Sequence, residues 1–166
     1  MKKSTIAIVL CFVAAIAVLI GLNRKNSSEN DKAVRSKQLE FEVDGSSQFY
    51  GYEESGDRFE SFSTQMKRKN GDVFDKEYSG IELRYILDDL GVSVGDGTSV
   101  TAVCADNYEI VLSGPEILEE KNIYLITKES GEDVGEDSGP FMLVVNNDEF
   151  STRWAKNVVR MKVDEK

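Results

Sequence analysis

Five carboxylates crowd one stretch of this chain, Glu129, Glu132, Asp133, Glu136 and Asp137, with glycines at 131 and 135 between them. Hard cations such as calcium bind oxygen ligands at that density. The spacing lacks the alternating ligand positions of a calcium loop, so the stretch reads as a solvated acidic loop. The two cysteines, Cys11 and Cys104, lie in an apolar N-terminal run and in the body of the chain. They cannot build a disulfide framework within one domain, nor a cysteine-rich zinc site. Cys104 reads as a small buried side chain on a strand. Histidine is absent altogether, which excludes serine-histidine and cysteine-histidine nucleophile systems and removes the commonest general base and metal ligand. Phe49, Tyr50, Tyr52 and Phe59 are close together in a polar stretch. They are placed either to line a small-molecule or peptide groove or, the simpler reading, to fold back over a sheet. Trp154 is expected to anchor the core.

Charge narrows the partners. The chain has 30 acidic and 20 basic residues; residues 1–25 hold four of the cations and no acid, leaving a net charge of −14 on residues 26–166. Such a body repels phosphate backbones and anionic headgroups, so no nucleic-acid partner is expected. A cationic ligand, a basic protein or another small-molecule partner remains compatible.

Lys2 and Lys3 precede an uncharged run from Thr5 to Leu22, which as a helix would span roughly 27 Å, close to the hydrocarbon thickness of a bilayer. Residues 1–25 are therefore expected to form a signal anchor, a single transmembrane helix with the body outside the cytoplasmic membrane. Ala15-Ile16-Ala17 is the one small-x-small site, and cleavage there would instead give a secreted protein. Residues 26–36 are polar and read as a linker. Residues 37–166 form the domain.

Within it, Leu39, Phe41 and Val43 alternate with Gln38, Glu40 and Glu42, the pattern of a half-buried strand ending at Asp44-Gly45. Residues 46–57, rich in Gly, Ser and Tyr, are expected to be an irregular loop. A strand over 59–67 should turn at Asn70-Gly71 and return through Val73 and Phe74. Ser79 and Glu82 have the spacing of a capping box opening a helix, whose apolar face is Leu83, Ile86, Leu87 and Leu90, closed by Gly91. Residues 99–105 and 108–112 form a hairpin about Asp106-Asn107. Ser113 and Pro115 open a short helical turn, and strands follow at 123–127, 141–145 and 158–163. This is an α+β pattern, with a mixed, largely antiparallel sheet and one main amphipathic helix.

Four segments carry a resemblance: residues 78–87 to a "GVPLxxLL" helix, 103–110 to an "ADGY" hairpin, 123–143 with Ser138-Gly139-Pro140 to a strand and "GGPLRLV" loop, and 154–159 to a "KWLxxI" terminal strand. Their order resembles the oxidoreductase molybdopterin-binding domain of the sulfite oxidase-like family. The resemblance implies that fold and, as cofactor, molybdopterin. It places Arg153 and Lys156 where the family has basic residues near the cofactor, as candidates for anion or pterin contact. The family's molybdenum-ligating cysteine and phosphate-holding basic residues, histidine among them, have no counterpart here, since Cys104 falls in the "ADGY" hairpin. The expectation is a non-catalytic ligand- or partner-binding module without cofactor. The alternative is a genuine molybdopterin-binding oxidoreductase or accessory subunit.

Overall fold

Leu39 and Phe41 are fully buried on one face of strand β1 (Gln38–Val43), with Glu40 and Glu42 half-buried on the other. In this computed structural model, which describes residues 37–165, the expected alternation thus becomes a half-covered strand. The signal anchor of residues 1–25 and the linker of 26–36 lie outside the described residues. Among the described residues no helix is long and apolar enough to cross a membrane.

At Asp44-Gly45 the chain reverses through two residues of positive φ, the hairpin turn whose twist matches that of the strands it joins. It returns as β2 (Ser46–Gly51), paired with β1 from Val43–Ser46 to Gln38–Gly51. This corrects the loop expected over 46–57; only its second half is irregular. The strand left no period-two signal because it is an edge strand, exposed along nearly its whole length, and has no buried face to mark.

Two five-stranded sheets form where one was expected. The first runs β2-β1-β10-β5-β6, with β10 (Val158–Asp164), β5 (Ser99–Cys104) and β6 (Glu109–Ser113). Its β1–β10 pair is parallel and the rest antiparallel. The second is antiparallel and runs β3 (Glu60–Lys67), β4 (Val73–Glu82), β7 (Ile123–Glu129) and β8 (Glu132–Asp133), with β9 (Met142–Val145) also on β7. Alternation reveals which residues face inward but not which strands become neighbours, so the division was not visible beforehand. Leu39, Phe41, Val100 and Met161 from one sheet, Leu125 and Leu143 from the other, and Phe141 just before β9 share a core cluster. Burying a leucine there contributes about 1.5–3 kcal/mol. A second cluster on the antiparallel sheet joins Tyr78, Tyr124, Ile126, Met142 and Val144, with Phe62 stacked on Tyr124 at 4.0 Å.

The helix begins later than its apparent capping box. Ser79 to Glu82 is the end of β4, and α1 covers Leu83–Asp89. Ser79 Oγ shares a hydrogen bond with Ser61 Oγ across the sheet instead of capping an amide. Strand pairing wins because the backbone at Gly80 lies directly on β7: a Cβ there would come within 2.5 Å of the Leu125 carbonyl. The rest of the helix is as expected. Leu83, Ile86 and Leu87 are fully buried, and the end closes with Gly91 N–H on the Asp88 carbonyl and Val92 N–H on the Leu87 carbonyl, both 2.9 Å, a Schellman motif.

A second helix, α2 (Gly114–Leu118), packs against the loop before β5. Ser113 occupies its N-cap position, but its hydroxyl donates to Glu116 Oε2 at 2.9 Å and accepts no backbone amide of the helix. Gly114 donates its amide to the Thr98 carbonyl at 2.8 Å, and a Cβ on Gly114 would meet the Gly95 carbonyl oxygen at 1.8 Å. Backbone would have to move. Gly114→Ala is expected to lower stability by about 1–3 kcal/mol, read as a lower urea midpoint at unchanged slope; a midpoint equal to that of the parent chain would refute this close approach.

Candidate functional site

Thirteen Lys and Arg side chains fall within residues 37–165. Eight of them, Lys37, Arg58, Lys76, Arg84, Lys128, Arg153, Arg160 and Lys162, form ion pairs with carboxylates. Of the five described cations without such a partner, Lys121 stands apart, while Lys67, Arg68, Lys69 and Lys156 line one open groove of about 350 Å³. In so acidic a protein, four cations unpaired with carboxylates and gathered at one place constitute a local reversal of charge.

The groove is held by two short elements. The β3–β4 hairpin ends in a three-residue loop, Lys69-Asn70-Gly71, in which Gly71 N–H donates to the Arg68 carbonyl at 3.0 Å and Arg68 N–H to the Asp72 carbonyl at 2.9 Å. Asn70 Oδ1 accepts the Asp72 amide at 3.1 Å. The Asn-Gly signal therefore marked a real turn, and it presents Lys67, Arg68 and Lys69 at the tip. Arg68 lies over the exposed Phe74 ring at 5.0 Å. The opposite wall is a 3-10 turn, Ser151–Arg153, which docks through Ser151 Oγ donating to the Lys67 carbonyl at 2.9 Å. Met66, Met142 and Trp154 supply the apolar lining.

Arg153, one of the two cations singled out by the resemblance, is committed to protein partners. Its Nε donates to Asp148 Oδ2 at 2.8 Å and its Nη2 to Asp148 Oδ1, a bidentate pair, while Nη1 donates to Glu116 Oε1 at 2.7 Å. These bonds, Asp148's first, raise its pKa further above the ordinary arginine value. The residue works as a clamp tying the 3-10 turn to α2. Lys156, the other candidate, is exposed, makes no ion pair and lines the groove. The structure thus separates two residues that the sequence had grouped.

Trp154 is half-buried and packs against both core clusters, as expected of a core anchor, but it precedes the last strand, which starts at Val158. Its Nε1 donates to the Val145 carbonyl at 2.9 Å and its ring meets Tyr78 edge-on at 5.9 Å. Burial, then the nearby Glu129, pushes the Tyr78 phenol up to about 12. So fixed, the indole forms a ridge between the groove and a second pocket of about 390 Å³. That pocket is lined by Cys104, Asp106, Tyr108, Asp137 and Asn157, and it shares both Trp154 and Lys156 with the groove. Asp106 Oδ1 accepts the Tyr108 amide at 3.0 Å, and Tyr108 Oη donates to the Thr152 carbonyl at 3.2 Å.

The other candidates disperse. Glu129 pairs with Lys76, and Asp133 with Lys37 and Lys128; among the described residues no three Asp, Glu, Cys or His side chains converge as a metal site. Glu54 joins this network by accepting from Lys37 and from Thr127 Oγ1 at 2.8 Å and pairing with Lys128 at 3.1 Å. Burial raises its pKa, but those contacts outweigh burial and hold the carboxyl below the usual range. Of the four aromatics, Tyr52 is buried and Tyr50 and Phe59 pack against the core, leaving Phe49 exposed. Tyr50, Tyr52 and Phe59 thus cover the core, and none of the four lines the groove.

The groove's cations match the phosphate end of the molybdopterin that the resemblance implies. Its metal end finds no matching donor. The sulfurs on the groove are the thioethers of Met66 and Met142, and Cys104 is a thiol 3% exposed whose pKa is raised by burial and then by Asp106, which disfavours the thiolate a metal requires. The residues do not fit the complete cofactor.

No protein-family model matches the chain, and no curated protein matches it. Among solved structures, its fold is similar to that of the sulfane dehydrogenase SoxCD from Paracoccus pantotrophus, with a TM-score of 0.63 and 18% sequence identity. The match covers 78% of this chain and 38% of that one, so this chain spans well under half the length of its structural neighbour. The likeness supports a distant sulfite oxidase-like fold.

Arg153→Ala leaves Asp148 and Glu116 without their shared cation. Because the guanidinium is about a third exposed (35%), solvent screening reduces the loss to about 1–2 kcal/mol. Lys156→Ala is expected to cost under about 0.5 kcal/mol. Chemical denaturation of both variants measures the contrast, and equal losses would contradict the division of roles between them.

Proposed function

We propose that this chain is a non-catalytic ligand-binding module, held by residues 1–25 at the extracytoplasmic face of the cell membrane, and that its ligand is a small molecule carrying an anionic group. The observation that carries this reading is the convergence of Lys67, Arg68, Lys69 and Lys156, unpaired with carboxylates, on one groove beside Trp154. At physiological salt charges are screened over about 8 Å. Within the groove the four local cations therefore outweigh the diffuse negative charge of the body. The uncharged run from Thr5 to Leu22 supports the tether. The cofactor-bearing alternative is supported by the family resemblance and by the fit of the groove to a phosphate; the missing thiolate speaks against it.

Trp154 is the only tryptophan in the chain and borders the groove, so its fluorescence reports occupancy. The full chain, taken from the membrane fraction in detergent, is expected to show a saturable change on titration with inorganic phosphate or an alkyl phosphate. Lys69→Glu and Lys156→Glu should each weaken binding about tenfold or more, whereas Lys121→Glu, at a cation outside the groove, should not. Absence of saturation, or equal loss in all three variants, would sink the reading.

A further inference from the structure

The second pocket differs from the groove in charge. Apart from the shared Lys156, its charged lining residues are Asp106 and Asp137. Neither aspartate is ion-paired among the described residues, although Lys156 lines the same pocket and eight other described cations have each found a carboxylate. The opposite charges line one cavity without closing an ion pair across it. Tyr108 is tied by its bond to Thr152, and Asn157 by its Nδ2 donating to the Asp137 carbonyl at 2.9 Å. Between the two pockets stands the indole of Trp154, pinned through Nε1.

Building on the anionic ligand proposed above, we infer that the two pockets form one continuous site for a dipolar small molecule. The anionic group lies among Lys67, Arg68, Lys69 and Lys156, an ammonium faces Asp106 and Asp137, and the apolar middle rests on Trp154. Each end meets the opposite charge, and the aromatic face adds attraction for a cation or an alkyl chain. A simple inorganic anion fills only half of this arrangement. Lys156, on the boundary, opposes an ammonium placed too close and so sets the direction in which the ligand lies.

The test compares aminoalkyl phosphates of graded chain length with the alkyl phosphates of the same lengths, by Trp154 fluorescence and calorimetry on the full chain in detergent. At the length that spans the ridge, the amine-bearing ligand is expected to bind about tenfold more tightly. The double variant Asp106→Asn with Asp137→Asn should remove that preference and leave the affinity for the plain alkyl phosphate unchanged. Equal affinities at every length, or a preference that survives the double variant, would overturn the dipolar site while leaving the anion groove standing. Failure of both series to bind would overturn the groove and this inference together.

Discussion

Residues 37–166 contain twenty-eight carboxylates and fourteen Lys or Arg residues, and this excess governs the electrostatics of the whole domain. A cation placed anywhere on such a surface has a carboxylate nearby, and most take one: Arg160 bridges to Glu40, Lys162 to Glu109, Arg58 to Asp88 and Asp89. Exposed pairs of this kind contribute little each. Their larger consequence is that they use up the free positive charge, so that whatever remains unpaired is conspicuous. Three consecutive residues at the end of β3 and in its hairpin turn, Lys67, Arg68 and Lys69, make no such pair among the described residues. Lys156 lies across from them.

The groove depends on elements that come together only in three dimensions. Ser151 holds the hairpin tip through the Lys67 carbonyl, Arg153 holds the 3-10 turn to Glu116 on α2, and α2 sits where it does because Gly114 allows backbone to touch backbone. A chain of three local contacts thus runs from a loop beside one sheet to the tip of a hairpin on the other. The arginine is the positioning residue in this chain and Lys156 the available charge.

Much of the fold was legible beforehand because burial imprints a period. Leu39 and Phe41, the α1 face and the paired segments about Asp106-Asn107 all bury one side and show it. What was not legible lacked such an imprint. β2 is an edge strand with nothing buried to alternate, and Ser79 and Glu82 satisfied a local capping rule that the pairing of Gly80 with β7 overrode. In the site, the resemblance pointed to Arg153 and Lys156 alike, and only the folded arrangement saturates one of them with Asp148 and Glu116. The run Lys67-Arg68-Lys69 was overlooked. Its signal was present as three cations in a row beside an Asn-Gly turn, in a body of opposite charge, but a run of charge far from Lys156 in sequence gives no hint that the two meet.

The structural likeness reaches the fold alone, and the cationic groove is a feature of this chain's own residues. The central claim is that this groove binds anions at one defined place. Crystals of the protein soaked in tungstate, measured at the tungsten absorption edge, test it most directly. An anomalous peak is expected in the groove among Lys67, Arg68, Lys69 and Lys156, lost in crystals of the Lys69→Glu variant; peaks only elsewhere, or none, would contradict anion binding there.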